Sequence, residues 1–279
     1  ERTDYVKQVL KRMGIVFSVQ PFRQRILKGE NIIVDQFCGD SGHQLLLTAH
    51  TNKYFSSPGA NDNASGVTVL LEVIKHLQQL HLKKDSGIKI VFFDHEDGLA
   101  ILDGSSYFAN HTDMLKISFV LNIDGAGMGN AVTMSPKTTR STSNAYIGSL
   151  VRSLDSMNVK HFSFDLPPLM VEDHMPFIKK SIPAISLNLM PEYDLELLKG
   201  FSNTSWLQKL KVALIYRGGN RKNHPMVIMR HRHNDLDTSD YIQEASLQLA
   251  FQLTMKMIDY HIRKAVAEYR GNVKKFRGF

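Results

Sequence analysis

The sequence predicts an α/β protein: a three-layer domain whose mixed, mainly parallel sheet lies between helices. Three observations carry this. Short apolar, β-branched runs recur along the chain, at 44–49 (QLLLTA), 88–94 (IKIVFFD), 117–124 (ISFVLNID) and 184–190 (AISLNLM). Each has the length and near-continuous hydrophobicity of a strand buried on both faces. Segments with helical spacing stand between them, and strands alternating with helices imply a largely parallel sheet.

Taken in order, residues 1–20 carry helix-like spacing at Tyr5, Val9, Leu10 and Met13. After the first apolar run comes a nine-residue loop, PGANDNASG (58–66), rich in turn formers. Helical segments follow at 66–82, 104–115, 142–157 and 172–181, and a last helix starts near Asp240 and runs toward Tyr269. With no internal repeat and no low-complexity linker, residues 1–279 read as one domain. The stretch at about 191–230 reads as an insertion. It holds the single Trp206, and its simplest form is a surface helical hairpin packing Leu207, Leu210 and Leu214 inward. A cover over the cleft or an oligomer contact is the functional alternative.

Composition bounds the function. Hydrophobic content of 43% and charged content of 22% describe a globular protein. No apolar run approaches the roughly 20 residues of a membrane span. The net charge of +7 comes partly from YRGGNRKNH and RGNVKKFRGF, which lack the basic–aromatic interleaving of a nucleic-acid surface. One cysteine, Cys38, excludes an intrachain disulfide and a cysteine-based zinc site. It fits a reducing compartment only weakly, and the sequence opens at Glu1, as a processed or trimmed chain does, so cytoplasm and secretion both stay open.

In an open α/β sheet, ligands bind beyond the carboxyl ends of the strands. His50 follows the first run, Asp94-His95-Glu96-Asp97 the second and Asp124 the third, while Asp62 sits in the loop and His231 and His233 come late. Any one of these alone suits a turn or a hydrogen-bonded structural role. Together they suit Zn²⁺ or Mn²⁺ held by nitrogen and oxygen, since burying several carboxylates without a cation costs several kcal/mol per ion.

The ordered motifs AHTN, PGANDNASG, FFDHEDGL, NIDGAG, EDHMPF and HNDLDT resemble those of the zinc aminopeptidases, including bacterial leucyl-type enzymes and related to glutamate carboxypeptidases and glutaminyl cyclases. The resemblance runs from about residue 44 to 240. It implies a phosphorylase/hydrolase-like zinc peptidase fold and two zinc ions, with one ion possible and Mn or Co as substitutes. By position it implies His50, Asp62, Asp97, Asp124 and His233 as metal ligands, with Asp62 between the ions, and Glu96 as general base. His231 is the fallback for His233. The resemblance also implies a cis peptide at Asp62–Asn63. Asn52, Asp173, His174 and Asp237 fall where relatives orient ligands or touch substrate.

The sequence departs from the family pattern in four places. Asn52 replaces an Asp that normally orients the first His, and Asp97 replaces a Glu, one methylene shorter. The segment EDGLAILDGS carries two extra residues, and Glu172 stands where the family has Ser. The function expected is removal of N-terminal residues from peptide substrates. A one-zinc glutaminyl-cyclase-like acyl transfer and an inactive peptide-binding relative are the alternatives. No nucleic-acid partner is expected; oligomerisation is open.

Overall fold

The computed structural model describes residues 2–24, 27–39, 42–82, 86–96, 103–135, 144–165, 171–205, 208 and 224–276. Among the described residues, eight strands form one sheet: β1 (Ser18–Gln24), β2 (Leu27–Phe37), β3 (Gln44–His50), β4 (Ile88–Phe93), β5 (Ile117–Ile123), β6 (Ala131–Ser135), β7 (His161–Ser163) and β8 (Ala184–Met190). Their order is β1-β2-β4-β3-β5-β8-β6-β7. The central strands β4, β3, β5 and β8 are mutually parallel. β2 and β6 join them antiparallel, as β1 joins β2, so the sheet is mixed.

Helices α1 (Arg2–Arg12), α2 (Gly66–Gln79), α3 (Asp103–His111), α4 (Ala145–Ser156), α5 (Met175–Lys179), α6 (Glu192–Ser202), α7 (Val227–His231) and α8 (Glu244–Phe276) complete the layers. Among the described residues, no helix is long and apolar enough to cross a membrane.

Period-two alternation sorts the strand side chains between the layers. Leu45, Leu47 and Ala49 of β3, with Phe119, Leu121 and Ile123 of β5, join Val6, Leu70, Leu150 and Leu253 in the larger core under α1, α2, α4 and α8. Leu46, Val91, Phe93 and Val120 point the other way and pack with Phe108 of α3 and Phe177 of α5. Both faces are covered, which is why these strands read as nearly continuous apolar runs.

Thr48 and His50 alternate with Leu47 and Ala49 and therefore share the face of Leu46. A polar row crosses the sheet there: Thr48 lies beside Asn122, Asn122 beside Ser186 and Ser186 beside Ser135. Thr48 Oγ1 donates to Asn122 Oδ1 at 2.9 Å, and Asn122 Nδ2 to Ser186 Oγ at 3.1 Å. Buried polar groups need such partners.

Several expectations need adjustment. The opening helix ends at Arg12; its buried face is Val6 and Leu10, while Tyr5 is exposed. The chain then forms edge strands that carry little apolar pattern. β1 includes Pro21, which edge strands tolerate. The last helix starts at Glu244, after a short turn at Ser239–Tyr241, and reaches Phe276. Within the inserted stretch, α6 and α7 are described, but Trp206, Leu207, Leu210 and Leu214 lie outside the described residues, as does Asp97.

Candidate metal centre

β3 is followed by β4 on one side, and the chain then returns to place β5 on its other side. The β3/β5 boundary is thus the switch point where a crevice opens between diverging connections. His50 ends β3, and Asp124 follows β5. Both occupy the sheet face that carries the polar row.

Asp62 arrives from the loop between β3 and α2. The bond Asp62–Asn63 is cis, and Gly59 takes the left-handed conformation at φ 72°. A Cβ on Gly59 would stand 2.9 Å from the Asp62 carbonyl oxygen, too close for any other residue. Asp237 pins this loop from a distant segment. Its Oδ1 accepts from the Asn61 amide at 2.6 Å, and its Oδ2 from the Asp62 amide at 3.1 Å. Asn63 ties the other flank to β5, donating to the Ile123 carbonyl at 2.8 Å.

The convergence is close. His50 Nε2 lies 3.2 Å from Asp62 Oδ1, 3.6 Å from Asp124 Oδ1 and 3.8 Å from Glu96 Oε2. All four residues are buried. One nitrogen and two carboxylate oxygens, from His50, Asp62 and Asp124, lie within 4.8 Å of one another. His50 Nε2, Asp62 Oδ1 and Asp124 Oδ1 make no hydrogen bond of good geometry among the described residues. Three inward-facing buried donors of this kind are the protein half of a catalytic zinc site, so the residues fit the ion that the sequence implies.

The electrostatics agree. Burial alone would push the His50 imidazolium down, but Glu96, Asp124 and Asp62 overcome it and hold its pKa well above the ordinary value. For Asp62, burial raises the pKa, yet Arg232, His233 and His50 hold it well below the carboxylate range. Both shifts come from carboxylates and cationic side chains packed together away from solvent.

The other expected residues fall around this centre. His233, not His231, reaches Asp62: its Nε2 is 3.0 Å from Asp62 Oδ2, while Tyr54 stacks on its ring at 4.8 Å. His231 instead points its Nδ1 to the Leu236 carbonyl. Asn52 meets both His50 and Glu96. The His50 Nδ1 contact, at 3.2 Å, goes to the Asn52 main-chain oxygen, and Asn52 Oδ1 accepts from the Glu96 amide at 2.9 Å. Asp173 and His174 are buried just before α5, and His174 Nδ1 lies 3.4 Å from Glu172 Oε2.

Arg232 was not singled out by motif, and Glu172 only as a departure from the family pattern. Arg232 sends Nε to 2.8 Å from Asp62 Oδ2, and its Nη2 donates to Asp124 Oδ2 at 3.2 Å. Its only signal in the sequence is its place beside His233 in the basic run RHRH. Glu172 is buried and accepts from Ser135 Oγ at 2.6 Å, extending the polar row toward the centre. Burial, then the nearby Asp124 charge, raises its pKa to about 7.

Residues 31–258 match the model of peptidase family M28. The chain belongs to that family. Among curated relatives, it is 31% identical over 130 residues to leupeptin-inactivating enzyme 1 of Streptomyces exfoliatus, covering 46% of this chain and 29% of that protein. It is 27% identical over 168 residues to aminopeptidase Y of Saccharomyces cerevisiae, covering 57% and 30%. The chain thus spans about a third of the length of these relatives. Among solved structures, a Porphyromonas gingivalis glutaminyl cyclase superposes with a TM-score of 0.65 at 22% identity, over 92% of this chain and 88% of that one. A zinc aminopeptidase from Bacillus subtilis gives 0.59 at 20% identity, over 83% and 50%. The M28 chain therefore has the fold shared by zinc exopeptidases and glutaminyl cyclases.

Proposed function

We propose that this M28 chain is the catalytic domain of a metal-dependent aminopeptidase that hydrolyses the first peptide bond of peptides. The observation that carries the reading is the buried cradle of His50 Nε2, Asp62 Oδ1 and Asp124 Oδ1, with Glu96 Oε2 at 3.8 Å from the histidine nitrogen. Family membership supports it, as do the relatives named as aminopeptidases.

His50, Asp62 and Asp124 would hold the metal, zinc by their donor types; Asp97 and His233 are further ligands by the family pattern. A zinc ion there supplies Lewis acidity, polarising the scissile carbonyl and acidifying the attacking water. The remaining work belongs to the chain. Glu96, anchored through its amide on Asn52, takes the proton from water and passes it to the leaving amine. Burial removes competing solvent and strengthens each charge interaction. Asp237 keeps Asp62 in place by holding the two amides beside it. Asp173 and His174 face substrate or support the groups that do.

Replacing Glu96 with Gln keeps the shape and removes the base. Turnover of amino-acyl p-nitroanilides should fall by about 10²–10⁴-fold with the melting temperature held. Unchanged turnover would show that the base lies elsewhere. A parallel assay for cyclisation of an N-terminal glutamine peptide tests the acyl-transfer alternative that the cyclase-like fold keeps in view.

A further inference from the structure

Asp62 and Asp124 each have one oxygen on either side of the centre. Asp62 Oδ1 and Asp124 Oδ1 face His50 Nε2, at 3.2 and 3.6 Å. Asp62 Oδ2 and Asp124 Oδ2 face the guanidinium of Arg232, at 2.8 and 3.2 Å. The same Asp62 Oδ2 is the atom that His233 approaches at 3.0 Å. A second ion placed between Asp62 and His233 would meet a permanently charged group already seated on that oxygen.

Three carboxylates face the centre among the described residues, Asp62, Glu96 and Asp124. The guanidinium already supplies part of the positive charge that buried carboxylates call for. Arg232 donates a hydrogen bond to Asp124 Oδ2 and holds Asp62 Oδ2 in an ion pair, so one cation spans both carboxylates.

We propose that Arg232 takes the place of a second metal ion. The site binds one divalent ion tightly, between His50, Asp62 and Asp124, and the guanidinium is the other cation of the pair. This rests on the metal-enzyme reading above and narrows it: the family pattern implies two ions, and this chain is built for one plus an arginine. In turnover the guanidinium is placed to stabilise negative charge developing on the substrate oxygen, as a second cation would.

The test is zinc binding by the full 279-residue chain, stripped of metal and followed by calorimetric titration and elemental analysis. Wild type should take up one tight ion. Arg232→Gln should take up two, its second site strengthened at least tenfold and its first changed less than about threefold. Arg232→Lys, which keeps the charge, should stay at one and guards against general disruption of the turn. Two ions of similar affinity in wild type would overturn the proposal while leaving the aminopeptidase reading intact. So would a single ion in Arg232→Gln, or two in Arg232→Lys. No uptake by wild type at excess zinc would overturn both.

Discussion

At the scale of single residues, the site depends on carboxylates whose charge is set by where they are buried. Glu172 gives the clearest case. Its folded pKa of about 7 exceeds the ordinary 4.5, so the folded state prefers the neutral form. That preference contributes stability in full below about pH 4.5, and the contribution is lost as pH rises to about 7. The metal-free protein should therefore lose on the order of 2 kcal/mol between pH 5 and 8 that Glu172→Gln does not lose. Urea unfolding of both proteins at the two pH values measures it, and parallel slopes would show that Glu172 is charged throughout. His50, Asp62, Glu96 and Asp124 were legible in the sequence because each follows an apolar run or sits in a distinctive loop. Arg232 was not, because a basic residue in a basic run has no local mark; its meaning comes from carboxylates about 110 and 170 residues away in the chain.

At the scale of elements, the strands that were legible are covered on both faces and long enough to stand out; β6, buried throughout but only five residues long, was not singled out. β3, β4, β5 and β8 each advertise themselves by near-continuous burial, with at most one half-buried residue apiece, and their bounds differ from the apolar runs by a residue or so. The edge strands β1 and β7 and the mixed β2 carry no such pattern, because one side of each meets solvent or a neighbour of different character. Tertiary pairing, rather than intrinsic preference, decides such strands. The connection between β3 and α2 was legible as a turn-rich loop, but its tether was not. Asp237 lies about 175 residues further on and clamps two consecutive amides. Asp237→Asn retains one acceptor and loses the charge. It should cost about 1–3 kcal/mol of stability and weaken zinc binding by about 10–100-fold. Thermal melts with a zinc titration read both effects, and an unaltered zinc affinity would show that the loop holds its shape without the clamp.

At the scale of the whole molecule, metal and fold are linked, because the ion's donors come from segments that only the finished sheet brings together. Zinc at about 100 times its Kd should add about 2.7 kcal/mol, raising the melting temperature by roughly 5–10 °C over the chelated protein. Equal melting curves with zinc and with chelator would show that the centre holds no ion. The same dispersal has a consequence for synthesis. His50 and Asp62 are made early, Glu96 and Asp124 follow, and Arg232, His233 and the clamping Asp237 come only near the close of the described sequence. A growing chain therefore displays its first carboxylates long before the groups that aim and neutralise them. On the function proposed here, the centre would be completed only after translation has passed residue 237, and would stay idle while unfinished polypeptide is its nearest neighbour.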